Sequence, residues 1–193
     1  VLLLSACTSQ EAGRPTSPPN PGTSSTADPT TAPSSGGGGE QAPGVDNPLD
    51  VSKFAGEPCT GLTAAQAGEL GVENGTPDTG AASKSCTWNN QYGAQVNLAF
   101  FDNRGLDAIF AAERSGAFTH FERVDDVDGY PAVVALTNDR RGKGECSLWV
   151  GVAEDSTISL ATAQSRENVG TTDPCSVSTR VADLVVKTVK AGG

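Results

Sequence analysis

Five cysteines and a single histidine bound the chemistry open to this 193-residue chain. Any Ser-His-Asp or Cys-His site would have to use His120, the lone imidazole. Glu122 follows two residues later, on the same face if the segment is a strand, and could orient the ring. No Gly-x-Ser-x-Gly elbow accompanies the pair, which reads first as a partly exposed strand histidine beside a carboxylate. Asp125, Asp126 and Asp128 before Gly129 offer the oxygens that Ca²⁺ takes, but the run is too short for an EF-hand loop and lacks its distal Glu. It reads as a solvated acidic turn. Arg140, Arg141 and Lys143 make a basic tip between Asn138 and Gly144. Such a tip can hold a phosphate or carboxylate, or can simply protect strand edges. The chain has no Walker loop, dinucleotide fingerprint or metalloprotease motif. No catalytic residue, metal ligand or cofactor is therefore assigned.

Cys59, Cys86, Cys146 and Cys175 are even in number, which in an exported domain reads as two disulfides. Zinc would want close ligand pairs, whereas 26 residues separate the first two cysteines and 28 the last two. Glu57-Pro58-Cys59-Thr60 and Asp173-Pro174-Cys175-Ser176 share an acid-Pro-Cys-hydroxyl order, each ahead of a helical pattern. The other two cysteines each head a strand pattern. Four cysteines allow three pairings. The echo favours Cys59–Cys86 and Cys146–Cys175, each joining a helix entry to a strand.

Cys7 stands apart. Val1 to Ala6 is a short apolar run ending in small residues, as at the tail of a signal peptide. Leu4-Ser5-Ala6-Cys7 looks like a bacterial lipobox, in which the cysteine thiol is acylated and becomes the new N-terminus. From Thr8 to Pro48 there are eight of the twelve prolines, twelve Ser or Thr residues and four consecutive glycines. Such a segment cannot bury enough apolar surface to offset its ordering entropy. As a flexible coil it would span roughly 35 Å. The expected organisation is a signal-peptide end and lipobox at 1–7, a disordered tether at 8–50 and one domain at 51–193.

The chain carries 23 acids and 13 bases, a net charge of −10. That argues against nucleic acid, where neutralisation of phosphates by Lys and Arg supplies most of the affinity. Beyond Cys7 no run approaches the roughly 18 apolar residues of a membrane span.

Within the domain, Thr63 and Gln66 form a capping-box pattern for a helix ended by Gly71. Strands are expected at 84–89 and 94–101, then a helix carrying Leu106, Ile109 and Phe110. Strand pairs follow at 118–124 with 130–137 and at 146–153 with 157–163. A last helix opens at Pro174, with Val177, Val181, Leu184, Val185 and Thr188 along one stripe. The expected fold is α+β: an antiparallel sheet of five or six strands, helices mainly on one face, and two disulfides.

Strand alternation places Val96, Leu98, Phe100, Leu148, Val150, Val152, Ile158 and Leu160 on one face. The other face gathers small and polar residues with two aromatics, Phe101 and Trp149, beside Asn97 and Gly151. Two readings stay open. This face is a shallow platform for a ligand or partner, or a helix or loop covers Trp149 as ordinary core.

Pro58-Cys59 before a helix, Cys86-Thr87-Trp88, Gly129-Tyr130-Pro131-Ala132, Cys146 and Asp173-Pro174-Cys175 together resemble an actinobacterial lipoprotein family catalogued as a domain of unknown function. Mycobacterial lipoproteins of the LprB and LprC type look similar. The resemblance implies a surface lipoprotein and supplies no catalytic residue. The expected function is a non-catalytic, lipid-anchored binding or accessory protein on the outer face of the cytoplasmic membrane. Its partner would be an envelope protein or a small ligand. The alternative is a structural or assembly factor of an envelope or secretion complex; an enzyme on envelope polymer is the least favoured. An apolar pocket would favour the first, a flat apolar patch the second and facing carboxylates in a cleft the third.

Overall fold

The computed structural model describes residues 40–80 and 83–192. Cys7, the lipobox and the tether as far as residue 39 lie outside the described residues. Ten elements follow in chain order among short helices and a sheet. They are α1 (Ser52–Gly56), α2 (Ala64–Glu69), β1 (Thr76–Thr79), β2 (Lys84–Asn89), β3 (Gln95–Phe101), α3 (Leu106–Arg114), β4 (His120–Val127), β5 (Tyr130–Leu136), β6 (Glu145–Ala153) and β7 (Ser156–Ala163). An eleventh, α4 (Pro174–Lys190), closes the chain.

All seven strands form one antiparallel sheet in the order β1-β2-β3-β7-β6-β5-β4. The chain thus lays down one meander, crosses the sheet through α3 to the far edge, and returns by a second meander to pair β7 with β3. The class is α+β as expected, but the strand number of five or six is corrected to seven. The missed strand is β1, Thr-Pro-Asp-Thr, whose four residues are all exposed. It has no buried face to impose alternation, and its Pro77 is tolerated because edge strands need not donate on their outer side.

The first face of the sheet carries the main core. Leu98, Leu148, Val150, Ile158 and Leu160 are fully buried there. Above them lie Phe54 of α1, Ala67 of α2 and Val181, Ala182, Val185 and Val186 of α4. Both disulfides clamp this layer. Cys59, in a single 3-10 turn at Pro58–Gly61, joins Cys86 of β2. Cys175, in the first turn of α4, joins Cys146 of β6. The Asp173 side chain caps α4 by accepting from the Cys175 and Ser176 backbone N–H groups. At the other end of α4, Lys190 donates to the Asp128 carboxylate at 2.7 Å.

Helices lie on both faces, because α3 packs on the second. Leu106, Ile109 and Phe110 meet Val133 and Ala135 of β5 in a smaller cluster that Phe121 and Trp149 border. Residues 40–50, read as tether, also lie on the folded body. Ala42 borders the second cluster and Leu49 the main core, while the Leu49 N–H donates to Val152 O. The Arg123 side chain donates to the Glu40 carboxylate, and that of Arg114 to the Glu40 carbonyl.

Candidate functional site

The residues read as candidates for chemistry prove to be engaged with one another. His120 faces Glu122 through Nε2 at 3.2 Å and the Arg141 guanidinium through Nδ1 at 3.3 Å. Since Arg141 can only donate, Nδ1 accepts, which leaves the neutral ring's proton on Nε2 for Glu122. No hydroxyl or thiol hydrogen-bonds this ring among the described residues. At the basic tip, Arg141 makes a two-pronged pair with Asp139 at 2.7 and 2.9 Å, and Arg140 pairs with Glu145. The Arg141 side chain and then its backbone N–H hold the Asp139 carboxyl well below the usual range, at about 2. Two of the three tip cations are thus already neutralised; Lys143 has no ion pair among the described residues. In the acidic turn, Asp128 and Gly129 both take positive φ in the two-residue hairpin between β4 and β5. Asp128 there serves Lys190. No group of three or more metal-ligating residues is present among the described residues.

On the second sheet face Trp149 is neither fully buried nor fully open. Its ring is half-buried, set against the α3 cluster on one side and 5.6 Å from the Phe101 ring on the other. The Arg104 guanidinium sits over Phe101 at 4.6 Å. Asn97 spends its amide on Thr87 of the neighbouring strand at 2.8 Å. Gly151 is buried beneath Leu106, whose side chain would stand 2.7 Å from a Cβ placed there. The missing side chain therefore seats α3, not a ligand.

A cleft of about 530 Å³ lies elsewhere, at the end of the sheet where β3 begins and β7 ends. Its volume falls in the range of about 300–1,000 Å³ typical of ligand pockets. Val72, Val96 and Val181 form a buried apolar floor, and the half-buried Val177 of α4 forms a wall. Sequence periodicity put Val177 and Leu184 inside the helix stripe, but both sit at its margin. Val177 is only half-covered because it faces the cleft.

The lip is the turn between β2 and β3. Asn90 fixes it, accepting at Oδ1 from the Tyr92 and Ala94 N–H groups and donating from Nδ2 to Gly71 O at 2.6 Å. The Arg166 N–H donates to Tyr92 O from the facing loop. Tyr92, so held, is 58% exposed, the one large hydrophobic residue left in solvent among the described residues. The amides of Gln91, Gln95 and Asn168, which make no side-chain hydrogen bond among the described residues, line the rim with the exposed carboxylates Glu73 and Glu167. Sequence reasoning passed over this site because 90–93 reads only as a turn. An aromatic residue amid turn-forming Asn and Gly was the one available signal.

A family model described as protein of unknown function (DUF3558) matches residues 2–188. No curated protein and no solved structure matches the chain. No helix among the described residues is long and apolar enough to cross a membrane.

Proposed function

This chain belongs to the DUF3558 family of proteins of unknown function, and we propose that it is a lipid-anchored, non-catalytic binding protein of the cell envelope. Acylation at Cys7 holds it on the outer face of the cytoplasmic membrane, as the lipobox pattern and the resemblance to actinobacterial lipoproteins suggest. The single observation that carries the binding reading is the cleft: an apolar floor, a polar rim and a rigidly held aromatic lip, in a volume fit for a small ligand. Glu73 and Glu167 do not make it an enzyme site on this reading. Both carboxylates are exposed at the rim, outside the desolvated surroundings that acid–base pairs use.

Native mass spectrometry of the protein extracted from its own membrane tests this. The expected spectrum shows acyl mass on Cys7 and a non-covalent small molecule that is absent from a Val177→Trp variant, whose indole fills the cleft. A mature N-terminus without lipid would refute the anchor. The same adduct in both forms, or none in either, would refute the cleft as the binding site.

A further inference from the structure

We infer that the cleft beneath Tyr92 takes a neutral carbohydrate, a mono- or disaccharide unit without phosphate or carboxylate. This rests on the binding reading above and names its ligand class. No Lys, Arg or His lines the cleft among the described residues. Arg166 and Arg180 adjoin lining residues in sequence without lining the cleft themselves, and the Arg166 side chain lies against Gly93 of the lip. A phosphorylated or carboxylated ligand would therefore meet Glu73 and Glu167 with no cation among the described lining residues to offset them.

The groups that remain match a pyranose in three ways. A sugar ring has an apolar C–H face, and Tyr92 presents an exposed aromatic face on a turn pinned from both sides, at little cost in ordering. A sugar also carries adjacent hydroxyls that both donate and accept. The amides of Gln91, Gln95 and Asn168 have both functions, and their side chains make no hydrogen bond within the described residues. The rim carboxylates add acceptors. Finally, Val72, Val96 and Val181 supply an apolar floor for the C–H groups, and the buried Thr162, Gln164 and Ser165 put polar groups on the same lining for a sugar's hydroxyls. A ligand that is apolar throughout would offer nothing to Gln164 Oε1, which is buried on the cleft lining without a hydrogen-bond partner among the described residues.

The test is a two-dimensional amide NMR titration of the full chain with both disulfides formed, carrying Cys7→Ser so that it stays unacylated. The probes are glucose, galactose, mannose, arabinose, N-acetylglucosamine, cellobiose, maltose and lactose, with choline and glucose 6-phosphate as charged comparisons. The expected result is a saturable shift of the Gln91, Gln95 and Asn168 side-chain amides with at least one neutral sugar. Tyr92→Ala should weaken that binding about tenfold and leave the thermal midpoint unchanged. Saturation by choline or glucose 6-phosphate alone would overturn the sugar assignment while leaving a small-ligand cleft in place. Silence with every sugar would overturn it too, and so would unaltered affinity in Tyr92→Ala. Cleavage of a disaccharide during the titration would instead contradict the non-catalytic reading.

Discussion

The two faces of the sheet are held to their helices by different means. On the first face α4 is fixed at both ends, by the Cys146–Cys175 bond and the Asp173 cap at one and by Lys190 to Asp128 at the other. Between them, Ser178 and Thr162 share a buried 2.6 Å hydrogen bond, and Gln66 of α2 donates to Leu184 O while accepting from Thr188. On the second face α3 rests on side-chain packing, chiefly Leu106 over Gly151 and Phe110 edge-on to Phe121, with Arg114 and Arg123 reaching to Glu40. The cleft has one wall on α4 and its floor on the first face. A site built there inherits positions set by covalent and buried polar contacts, so less ordering is left to pay for on binding. The aromatic ledge at Phe101 and Trp149 has no such frame.

Breaking the first-face clamp should have the largest effect. Cys146→Ala with Cys175→Ala opens a loop closed by a separation of 29 residues and should cost roughly 3.5 kcal/mol by the chain-entropy relation, read from urea unfolding. A loss under about 1 kcal/mol would mean that packing alone holds α4. Gly151→Ala probes the other face. Its new methyl would displace Leu106 and should cost about 1–3 kcal/mol, with faster amide exchange confined to residues 106–114. Unchanged exchange there would remove the seat assigned to this glycine. Trp149→Ala should cost about 1–2 kcal/mol, below the roughly 3–5 kcal/mol of an emptied core Trp site, because the ring is only half-buried. A full core-sized loss would make Trp149 ordinary interior and end any role for it as a platform.

The smallest effect is electrostatic. Asp139 titrates at about 2 when folded, against an ordinary value near 3.9. Its contribution to stability is present above about pH 4 and is lost as pH falls through about 2. In Arg141→Ala the carboxyl midpoint seen by NMR should rise toward the ordinary value. An unmoved midpoint would show that the guanidinium is not its cause.

The sequence was most legible where a local pattern and the tertiary environment agree. Thr63 and Gln66 form the capping box that their spacing spells out. β6 and β7 bury alternate residues against α4, and β3 buries Leu98 and Phe100 against α1 and the turn at Pro58–Gly61, as their alternation requires. Legibility failed where contacts are non-local. Nothing local marks Thr76–Thr79 as a strand, since only its pairing with β2 makes it one. Leu49 and Val45 stand singly among Pro, Gly and acids, yet both pack against the main core. Gly151 beside Trp149 suggested an open platform because the helix that needs the space, α3, begins 45 residues earlier in the chain. The cleft was invisible for the same reason. Its parts come from residues 70–73, 90–96, 162–172 and 177–181, and only the fold brings them together.

The central claim is that the binding site lies in the clamped cleft and not on the second face. It is tested most directly by measuring the small molecule retained by Val177→Trp and by Trp149→Ala, side by side, with native mass spectrometry after extraction from the membrane. The account predicts that Val177→Trp loses the adduct and Trp149→Ala keeps it. Retention in Val177→Trp with loss in Trp149→Ala would contradict it.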